Sequence, residues 1–397
     1  MRLTQLQLTE FRSYHRLDII IPAEGLLLIG RNASGKSTLL EAVRMLSMLR
    51  SPRSTHDRDV INWESGQELD VAPFARLVGS ALTDDALVQV ELGMQRAEDG
   101  VGPLRKQIKV NQQPRRMQDS IGAIKSVLFT PEDLDLVSGS PGGRRRFIDL
   151  MISQIERGYV AHLARYLKIV EQRNSLLKSH AKSGGPRANL LEQLGFWDDQ
   201  LIEHGAAIAA SRRDVLGLLC IAFQSRTALF TETARMTAAY APNLGADFLA
   251  AARPGDSREQ LVAVARREFE TQIKIRRDEE IRRGVTVVGP HRDDLELLLD
   301  DRPLADFGSR GQQRLAVIAL KLAESDVVAA GGEMPILLLD DLLSELDDQH
   351  RRTLLQAIRD SGAQILITTA DPGQVEGTPI DHLSRRSVIS GSIVEEI

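Results

Sequence analysis

Short apolar stretches separated by polar turns fill residues 1–130, and this spacing is typical of β-strands. A helix is predicted from about Lys36 to Leu49, and the segment 51–85 is polar and irregular. The apolar runs predict single strands at 3–8, 17–21 and 25–30, and paired strands at 86–93 and 105–111. The first third of the chain is therefore expected to be rich in β-structure.

The pattern changes near Pro131, where leucine and alanine begin to recur at helical spacing with Arg, Glu and Gln on the opposite side. This periodicity predicts two long helices at 144–178 and 187–235, joined by a loop at 179–189. A third, strongly charged helix is predicted at about 256–283. We therefore interpret 131–285 as one helical insertion.

Short apolar runs return after Arg283 and alternate with helical segments, which is typical of an α/β fold. Strands are predicted at 286–289, 295–299, 335–341 and 363–370, and helices at 312–330 and 347–360. We expect 1–130 and 286–397 to close into one α/β domain. The segment 131–285 would then be a mostly helical arm inserted into that domain.

The composition narrows the class of protein. The chain has 397 residues, of which 42% are apolar and 26% charged, enough for a globular interior. The single cysteine, Cys220, excludes a disulfide framework and a cysteine metal cluster, so we expect a reducing compartment, the cytoplasm. No stretch approaches the roughly 18 consecutive apolar residues that span a bilayer, so no membrane partner is predicted.

The strongest chemical motif is GRNASGKST, residues 30–38, which matches the P-loop pattern between an apolar strand and a helix. In such a loop, successive backbone N–H groups and the helix N-terminus face the phosphates. Lys36 is predicted to bridge the β- and γ-phosphates of ATP, and the Ser37 hydroxyl to be a Mg²⁺ ligand. The predicted nucleotide-binding residues are Gly30, Arg31, Asn32, Ala33, Ser34, Gly35, Lys36, Ser37 and Thr38.

The segment ILLLDD, residues 336–341, predicts a buried strand that ends in two carboxylates. In α/β folds, ligands bind at the carboxyl ends of the strands. Asp340 is predicted to hold Mg²⁺, through water, and Asp341 to orient or deprotonate the attacking water. A strand that ends in two helix-capping acids is the alternative interpretation of the same residues.

The segment FGSRGQQR, residues 307–314, precedes a helix and resembles the signature of the ABC-type ATPase superfamily. Ser309, Gly311 and Gln312 match that signature, and Arg310 departs from it. The resemblance implies that the signature of one subunit closes over the ATP held by the P-loop of another. An ATP-dependent homodimer is therefore expected, with SELD (344–347) similar to the superfamily's D-loop.

Within that superfamily the chain resembles the RecF family of bacterial recombination-repair proteins. The resemblance runs from end to end and is carried most specifically by GPHRDD (289–294), the signature and the Asp-Asp ending. It implies an ABC-type P-loop ATPase head with a helical arm, and a cytoplasmic DNA-binding ATPase that dimerises on ATP. It also implies action at DNA gaps and single-strand/double-strand junctions, with RecR and RecO helping to load RecA.

Two positions depart from most relatives of the superfamily. Asp341 stands where a glutamate is usual, and the shorter side chain holds its carboxylate farther from the water, so slow, DNA-stimulated hydrolysis is expected. Thr369 stands where many relatives have a histidine, and it is the candidate for sensing the γ-phosphate. Arg12 lies either near the nucleotide, as the resemblance implies, or at a strand end on the surface.

The net charge of −5 excludes a polycation, but runs of arginine are able to hold phosphate locally. Arg144, Arg145 and Arg146 are the candidates for DNA contact, together with runs along the last helix of the arm. Aromatic residues make up only 4% of the chain, so contact with a duplex backbone is favoured over base stacking. His291 and Arg292 are either functional or pair structurally with Asp293 or Asp294.

Two other protein classes share part of this pattern. The nucleotide-binding subunit of a membrane transporter has the same P-loop and signature, but a shorter arm. A chromosome-organising coiled-coil ATPase has a much longer arm. The insertion at 131–285 reaches about 100 Å at most as two antiparallel helices, at about 1.5 Å per residue.

Overall fold

A computed structural model describes residues 1–66, 71–84, 86–97, 102–231, 233–251, 255–389 and 391–395. The chain divides into two compact units. Unit 1 comprises Met1–Leu134, Ser225–Thr233 and Arg310–Ile397, and unit 2 comprises Asp135–Gln224 and Ala234–Ser309.

The β-strands among the described residues follow one another in chain order. They are β1 (Arg2–Phe11), β2 (Tyr14–Ile20), β3 (Gly25–Ile29), β4 (Phe74–Leu82), β5 (Leu87–Gln95), β6 (Arg105–Val110), β7 (Gln113–Pro114), β8 (Ser126–Phe129), β9 (Met236–Ala241), β10 (Asp294–Leu299), β11 (Arg302–Pro303), β12 (Ile336–Asp340), β13 (Ile365–Thr369), β14 (Ser384–Ile389) and β15 (Ser392–Glu395).

The α-helices range from single turns to one very long helix. They are α1 (Lys36–Met48), α2 (Met117–Ser120), α3 (Asp135–Ser138), α4 (Pro141–Ile155), α5 (Tyr159–Ser183), α6 (Arg187–Thr227), α7 (Ala246–Ala251), α8 (Arg258–Arg283), α9 (Leu304–Phe307), α10 (Arg310–Ala330) and α11 (Asp348–Asp360).

Unit 1 contains two six-stranded sheets. The first has the order β2-β1-β4-β5-β6-β7 with antiparallel neighbours. The second has the order β15-β14-β3-β13-β12-β8, and all its pairs are parallel except β14 with β15. Helix α1 contacts strands of both sheets, and its apolar residues belong to the core that they share. This arrangement fixes the start of α1 beside the ends of the parallel strands.

The strand predictions for unit 1 are confirmed at β1, β2, β3, β5, β6, β12 and β13. The prediction of an irregular segment at 51–85 is wrong in its last part, because β4 occupies Phe74–Leu82. This strand pairs with β1 on one side and β5 on the other and is mostly buried. Burial on both faces removes the alternation of apolar and polar residues by which a strand is recognised in a sequence.

Unit 2 contains most of the helices and one small sheet, β11-β10-β9, with antiparallel neighbours. The predicted helix at 144–178 is two helices, α4 and α5, because Glu156, Arg157 and Gly158 interrupt it and Gly158 has φ 93°. The predicted helix at 187–235 ends as α6 at Thr227. The third predicted helix matches α8 closely.

The division into units differs from the predicted boundaries at 131, 285 and 286. Residues 286–309 belong to unit 2, and residues 225–233 belong to unit 1. The strand β9, of sequence MTAAYA, lies inside the segment predicted to be helical and pairs along its length with β10, which joins residues after 286 to unit 2. Alanine has low β-propensity, so only the pairing with β10 identifies this stretch as a strand. The predicted strand at 286–289 is instead a turn that leads into a short 3₁₀ helix at Pro290–Arg292.

Fully buried arginines hold unit 2 together. The Arg173 side chain is 0% exposed, and it donates to Asp198 at 3.0 Å, to Thr286 at 3.0 Å and to Glu280, itself 0% exposed, at 2.5 Å. Arg212 similarly reaches Asp149 and Asp293, at 2.7 and 2.9 Å. A buried charge is tolerated only when partners of this quality surround it.

Replacing Arg173 with methionine is expected to lower the free energy of unfolding by about 3–5 kcal/mol, because the carboxylate of Glu280 loses its buried partner. The matched control is Arg187→Met. The Arg187–Asp278 pair is largely exposed, with side chains 59% and 76% accessible, so less than about 1 kcal/mol is expected. Urea denaturation of both variants measures the difference. Equal losses would contradict a structural role for the Arg173 cluster.

Among the described residues, every helix is too short or too polar to span a bilayer.

Candidate functional site

Three parallel strands of unit 1 end side by side and bring the P-loop next to the paired aspartates. In the sheet, β13 lies between β3 and β12, with Thr369 opposite Ile29 and Thr368 opposite Asp340. The N–H of Gly30 donates to the Thr369 carbonyl at 3.3 Å, which continues the pairing one residue beyond the strand. Residues separated by about 300 positions in the chain therefore share one sheet edge.

Lys36 is the first residue of α1, and only 4% of it is exposed. Its Nζ donates to the carbonyls of Gly30, at 2.6 Å, and Arg31, at 3.1 Å, so the ammonium group lies inside the curve of the loop. Gly35 has φ 110°, a backbone conformation that glycine adopts at little cost. The loop therefore wraps a cation at a helix N-terminus, an arrangement that attracts phosphate.

Ser37 and Asp340 meet directly across this edge. The Ser37 hydroxyl donates to Asp340 Oδ1 at 2.6 Å, and Thr368 Oγ1 donates to the same oxygen at 2.9 Å. Asp340 is 8% exposed, so its carboxylate depends on these hydroxyls for solvation. One hydroxyl and one carboxylate, both oxygen donors, are the ligand types that Mg²⁺ prefers.

Asp341 has a different environment from Asp340. Its backbone has φ 49°, in the left-handed region, and its N–H donates to Thr368 Oγ1 at 3.0 Å. Burial and, to a smaller extent, the Asp340 carboxylate raise the pKa of Asp341, while Lys36 opposes that shift. A non-glycine residue in this conformation points its side chain out of the strand direction, and here Asp341 lines the cavity next to the P-loop.

A cavity of about 620 Å³ opens beside the P-loop. Its wall includes the predicted residues Asn32, Ala33, Gly35, Lys36, Ser37, Thr38 and Asp341. The rest of the wall comes from two segments that the motif analysis did not assign: Arg12, Ser13 and His15, and the stretch from Arg53 to Glu64. Its size lies in the ordinary range for small-molecule sites.

The structure distinguishes between the two interpretations of Arg12. Arg12 lines the cavity, with φ 54°, and its guanidinium pairs with Glu41 at 2.9 Å and donates to the Asp59 carbonyl at 2.9 Å. It is therefore part of the wall, as the resemblance implied, and is held by a buried carboxylate. Its position follows from the turn between β1 and β2, which no local pattern in the sequence marks as a binding segment.

The adjacent threonines at the end of β13 make different contacts. Thr369 Oγ1 donates to the Asp371 carbonyl at 3.0 Å and accepts the Asp371 N–H, so it forms a local turn. Thr368, which the sequence analysis did not select, contacts both Asp340 and the backbone of Asp341. The register of β13 against β12 determines which threonine faces the aspartates, and register is not visible in the sequence.

The signature residues lie around the start of α10. Ser309 and Gly311 are exposed and Gln312 is half-buried. Within the described residues, Gly311 and Gln312 do not line the cavity beside the P-loop of their own chain. Farther along α10, Arg314 pairs with Glu345 of the SELD segment at 2.5 Å. The D-loop prediction thus falls on a short 3₁₀ turn, Leu342–Glu345, followed by Asp347, which caps α11.

The arginine run assigned to DNA is only partly available to a ligand. Arg144 forms a bidentate ion pair with Asp294, at 2.7 and 2.8 Å, and Arg145 donates to the Asp293 carbonyl at 2.8 Å. Both are half-buried, and burial lowers the pKa of Arg145. Arg146 alone of the three is exposed. Arg144 and Arg145 thus already have partners in GPHRDD, a segment that is distant in sequence, and a phosphate-binding role for them remains a prediction.

His291 and Asp293 of GPHRDD are held by contacts within unit 2. His291 Nε2 donates to the Thr286 carbonyl at 3.1 Å, and His291 Nδ1 accepts from the Tyr166 hydroxyl at 2.7 Å. Burial lowers the pKa of His291 to about 4, so the ring is neutral at physiological pH. The predicted pairing of His291 with Asp293 or Asp294 is wrong. Asp293 instead accepts from Arg212, Tyr240 and the Asn243 N–H.

Comparison with known proteins agrees with this geometry. A family model described as the RecF/RecN/SMC N terminal domain matches residues 2–388. The DNA replication and repair protein RecF of Thermomicrobium roseum is 42% identical over 390 residues, which cover 96% of this chain and 96% of that protein. The chain belongs to the RecF family. The RecF of Roseiflexus castenholzii is 39% identical over 401 residues and covers 99% of both chains.

The RecF fold is also evident in three dimensions. A solved structure of the recombination mediator protein RecF-ATPrS in the RecFOR pathway has a TM-score of 0.83 and 27% identity. It covers 100% of this chain and 98% of that chain. The predicted fold class, an ABC-type P-loop ATPase head with a mostly helical insertion, is confirmed.

Proposed function

We propose that this RecF-family chain is an ATP-dependent DNA-binding protein of recombinational repair and replication restart, in which ATP closes a homodimer on DNA. The observation that carries the proposal is the contact between Ser37 and Asp340, 2.6 Å apart, directly beside the loop that wraps Lys36. A hydroxyl, a carboxylate and an ammonium group at one helix N-terminus are the groups that a Mg²⁺-triphosphate requires.

The residues present fit a Mg²⁺ ion that travels with the nucleotide. Ser37 and Asp340 supply oxygen atoms, and no group of three or more His, Cys, Asp or Glu suited to a metal occurs within the described part of the chain. Mg²⁺ bound by few protein ligands keeps waters and uses substrate phosphates, which is the pattern that such a site requires. The ion would neutralise charge on the β- and γ-phosphates, and Lys36 would add a second positive charge there.

Asp341 supplies the chemistry of slow hydrolysis in this proposal. Asp341 lines the cavity next to the P-loop, and its backbone N–H donates to Thr368 Oγ1 at 3.0 Å, which fixes the backbone from which the carboxylate extends. A carboxylate in this position orients a water for attack on the γ-phosphorus and accepts its proton. Because aspartate is one methylene shorter than the usual glutamate, we expect turnover well below tens per second.

In this proposal the ATP site is composite, which means that residues of two copies of the chain form it. The wall is formed by residues of 12–64 and by Asp341, and Ser309 and Gly311 are exposed at the start of a helix. An exposed serine and exposed backbone N–H groups at a helix start are suited to phosphate. We infer that the signature of a second copy closes over the open side of the cavity, so that two ATP molecules join two chains.

DNA contact is assigned to exposed arginines of unit 2. Arg146 is exposed, and α8 presents Arg266, Arg267 and Arg282 to solvent. Contacts of this kind neutralise backbone phosphates without reading sequence, and the resulting affinity falls steeply with salt. Duplex DNA and single-strand/double-strand junctions are the proposed targets, and RecR, RecO and RecA the proposed partners in the cytoplasm.

Sedimentation velocity of the purified chain tests this proposal. Four samples are compared: the chain alone, the chain with Mg²⁺-ATP, the chain with duplex DNA, and the chain with both. We expect a dimer with ATP, and co-sedimentation with duplex DNA that depends on ATP and weakens as salt is raised. A chain that stays single with ATP, or binds DNA equally without it, would contradict the proposal.

Hydrolysis is expected to depend on pH through Asp341. Because burial raises the pKa of Asp341 above its ordinary value of 3.8, the basic form is lost at a higher pH than for an exposed aspartate. The ATPase rate of the DNA-bound dimer should therefore fall as the pH falls through that raised pKa.

Asp341→Asn is expected to lower the ATPase rate by about 100-fold or more, the range for loss of a general base, while ATP binding persists.

The raised pKa of Asp341 also predicts a change in the stability of the folded chain. A carboxyl whose pKa is raised in the folded state lowers stability as the pH rises from its ordinary pKa to the raised one, and the full cost remains at higher pH, because burial disfavours the charged form. Asp341→Asn should therefore raise the melting temperature of the nucleotide-free chain at neutral pH, and this gain should vanish in acid. A lower melting temperature with unchanged hydrolysis would assign Asp341 to the structure alone.

A further inference from the structure

The cavity beside the P-loop extends beyond the groups that a triphosphate and Mg²⁺ use. Its wall includes Lys36, Ser37 and Asp341, and it also includes six residues between Arg53 and Glu64. These six include Ile61, Asn62 and Trp63, which have no role in the phosphate chemistry. A nucleotide carries a base and a sugar in addition to its phosphates, and they need a place in the same cavity.

Trp63 is the most exposed large apolar residue of this wall, with 90% of its surface accessible. The backbone next to it is nevertheless firmly held. The Asn62 side chain donates to the Arg12 carbonyl at 2.7 Å, the Asn62 N–H donates to the Glu10 carbonyl at 2.9 Å, and Ile61 bridges to Phe11. The indole of Trp63 thus lines the cavity from a segment whose neighbouring residues are hydrogen-bonded to the turn after β1.

The other ring on this wall is less suited to receive a base. Among the described lining residues, only Trp63 and His15 carry planar ring side chains. His15 lies between two carboxylates, 3.3 Å from Glu10 and 3.4 Å from Glu64, which occupy both of its nitrogens. Trp63 offers a larger surface, and indole is the strongest stacking partner among the side chains of this wall.

We propose that the indole of Trp63 is the platform on which the base of the bound nucleotide stacks. This inference rests on the proposed function, since it assigns the base-binding part of the same cavity. Stacking uses the face of the ring, which every base possesses, so it adds affinity without selecting one base. ATP, GTP and CTP are therefore all expected to gain from Trp63, whereas inorganic tripolyphosphate is not.

The test compares binding of Mg²⁺-ATP and Mg²⁺-tripolyphosphate to full-length variants by isothermal titration calorimetry, at protein concentrations where the chain is single. Trp63→Ala should weaken ATP binding by about 5- to 100-fold, which corresponds to the usual worth of one stacked base. Tripolyphosphate binding should be unchanged. Trp63→Phe, which keeps a ring, should restore most of the ATP affinity.

A direct signal is available because the chain contains only two tryptophans, Trp63 and Trp197. In the variant Trp197→Phe, all indole fluorescence comes from Trp63. Stacking should quench it with ATP, GTP and CTP, but not with tripolyphosphate. Quenching by tripolyphosphate alone to the same extent would overturn the proposal, because the signal would then report loop movement.

The outcomes separate this proposal from the proposed function. If Trp63→Ala binds ATP as tightly as the wild type while Lys36→Arg loses both ligands, the platform is refuted and the nucleotide site stands. If Trp63→Ala weakens ATP and tripolyphosphate equally, or weakens only the dimer, Trp63 supports the loop or the subunit contact and the proposal fails. If the wild type binds neither ligand, both proposals fail together.

Discussion

Lys36→Arg is expected to weaken ATP-dependent dimerisation and ATP-dependent DNA binding together. Lys36 is 4% exposed, and its ammonium group fits between the carbonyls of Gly30 and Arg31. The larger planar guanidinium does not fit that curve and cannot act as a compact charge between two phosphates. A charge-assisted contact of this kind is worth about 1.5–3 kcal/mol, or roughly 10- to 150-fold in ATP affinity.

The effect on the dimer should exceed the effect on one chain. Two ATP molecules join the proposed dimer, so the loss of affinity enters the dimerisation constant twice. Sedimentation with increasing ATP measures it. Lys182→Arg is the matched control, since Lys182 is exposed at the end of α5 and the charge is kept. Normal ATP-dependent dimers of Lys36→Arg would remove the P-loop from the proposed mechanism.

Ser309→Arg is expected to separate ATP binding from dimerisation. The P-loop, Asp340 and Asp341 remain unchanged in this variant, so one chain should bind ATP with wild-type affinity. The added side chain, however, prevents the close approach of the helix start to the phosphates of the other copy. We expect dimerisation to weaken by about 100-fold or more, on the scale of one lost phosphate contact of about 1.5–3 kcal/mol at each of two sites.

The control for Ser309→Arg introduces the same charge elsewhere. Ser183 is exposed at the end of α5, and Ser183→Arg should dimerise normally. Calorimetry gives the ATP affinity and sedimentation gives the dimer for each variant. A Ser309→Arg chain that dimerises normally with ATP would show that the signature does not contact the nucleotide of the second copy.

The sequence was most informative where the chemistry is local. The residues of GRNASGKST follow β3 directly and fold as a loop and the first turn of α1, so spacing alone predicts their arrangement. The same holds for ILLLDD, because a buried strand that ends in carboxylates needs no distant partner to be recognised. The mistakes concern features that depend on pairing: β4 and β9 are strands because of their neighbours in the sheet.

Contacts between segments far apart in the chain also determine which partners individual side chains have. Arg144 and Arg145 looked available for phosphate, but the GPHRDD segment, about 150 residues later, takes up both. Thr368 rather than Thr369 faces the aspartates because β13 and β12 pair in one particular register. Arg12 and Trp63 line the cavity because the turn after β1 and the loop after α1 converge on it.

The sequence by itself determined the family, the fold class, the P-loop and the paired aspartates, because these depend on the order and type of neighbouring residues. Only the tertiary structure decided the unit boundaries, the cavity wall beyond the P-loop and which arginines remain accessible. The physical reason is that each of these features depends on strand register or on ion pairs between segments far apart in the chain, and a local pattern carries no information about either.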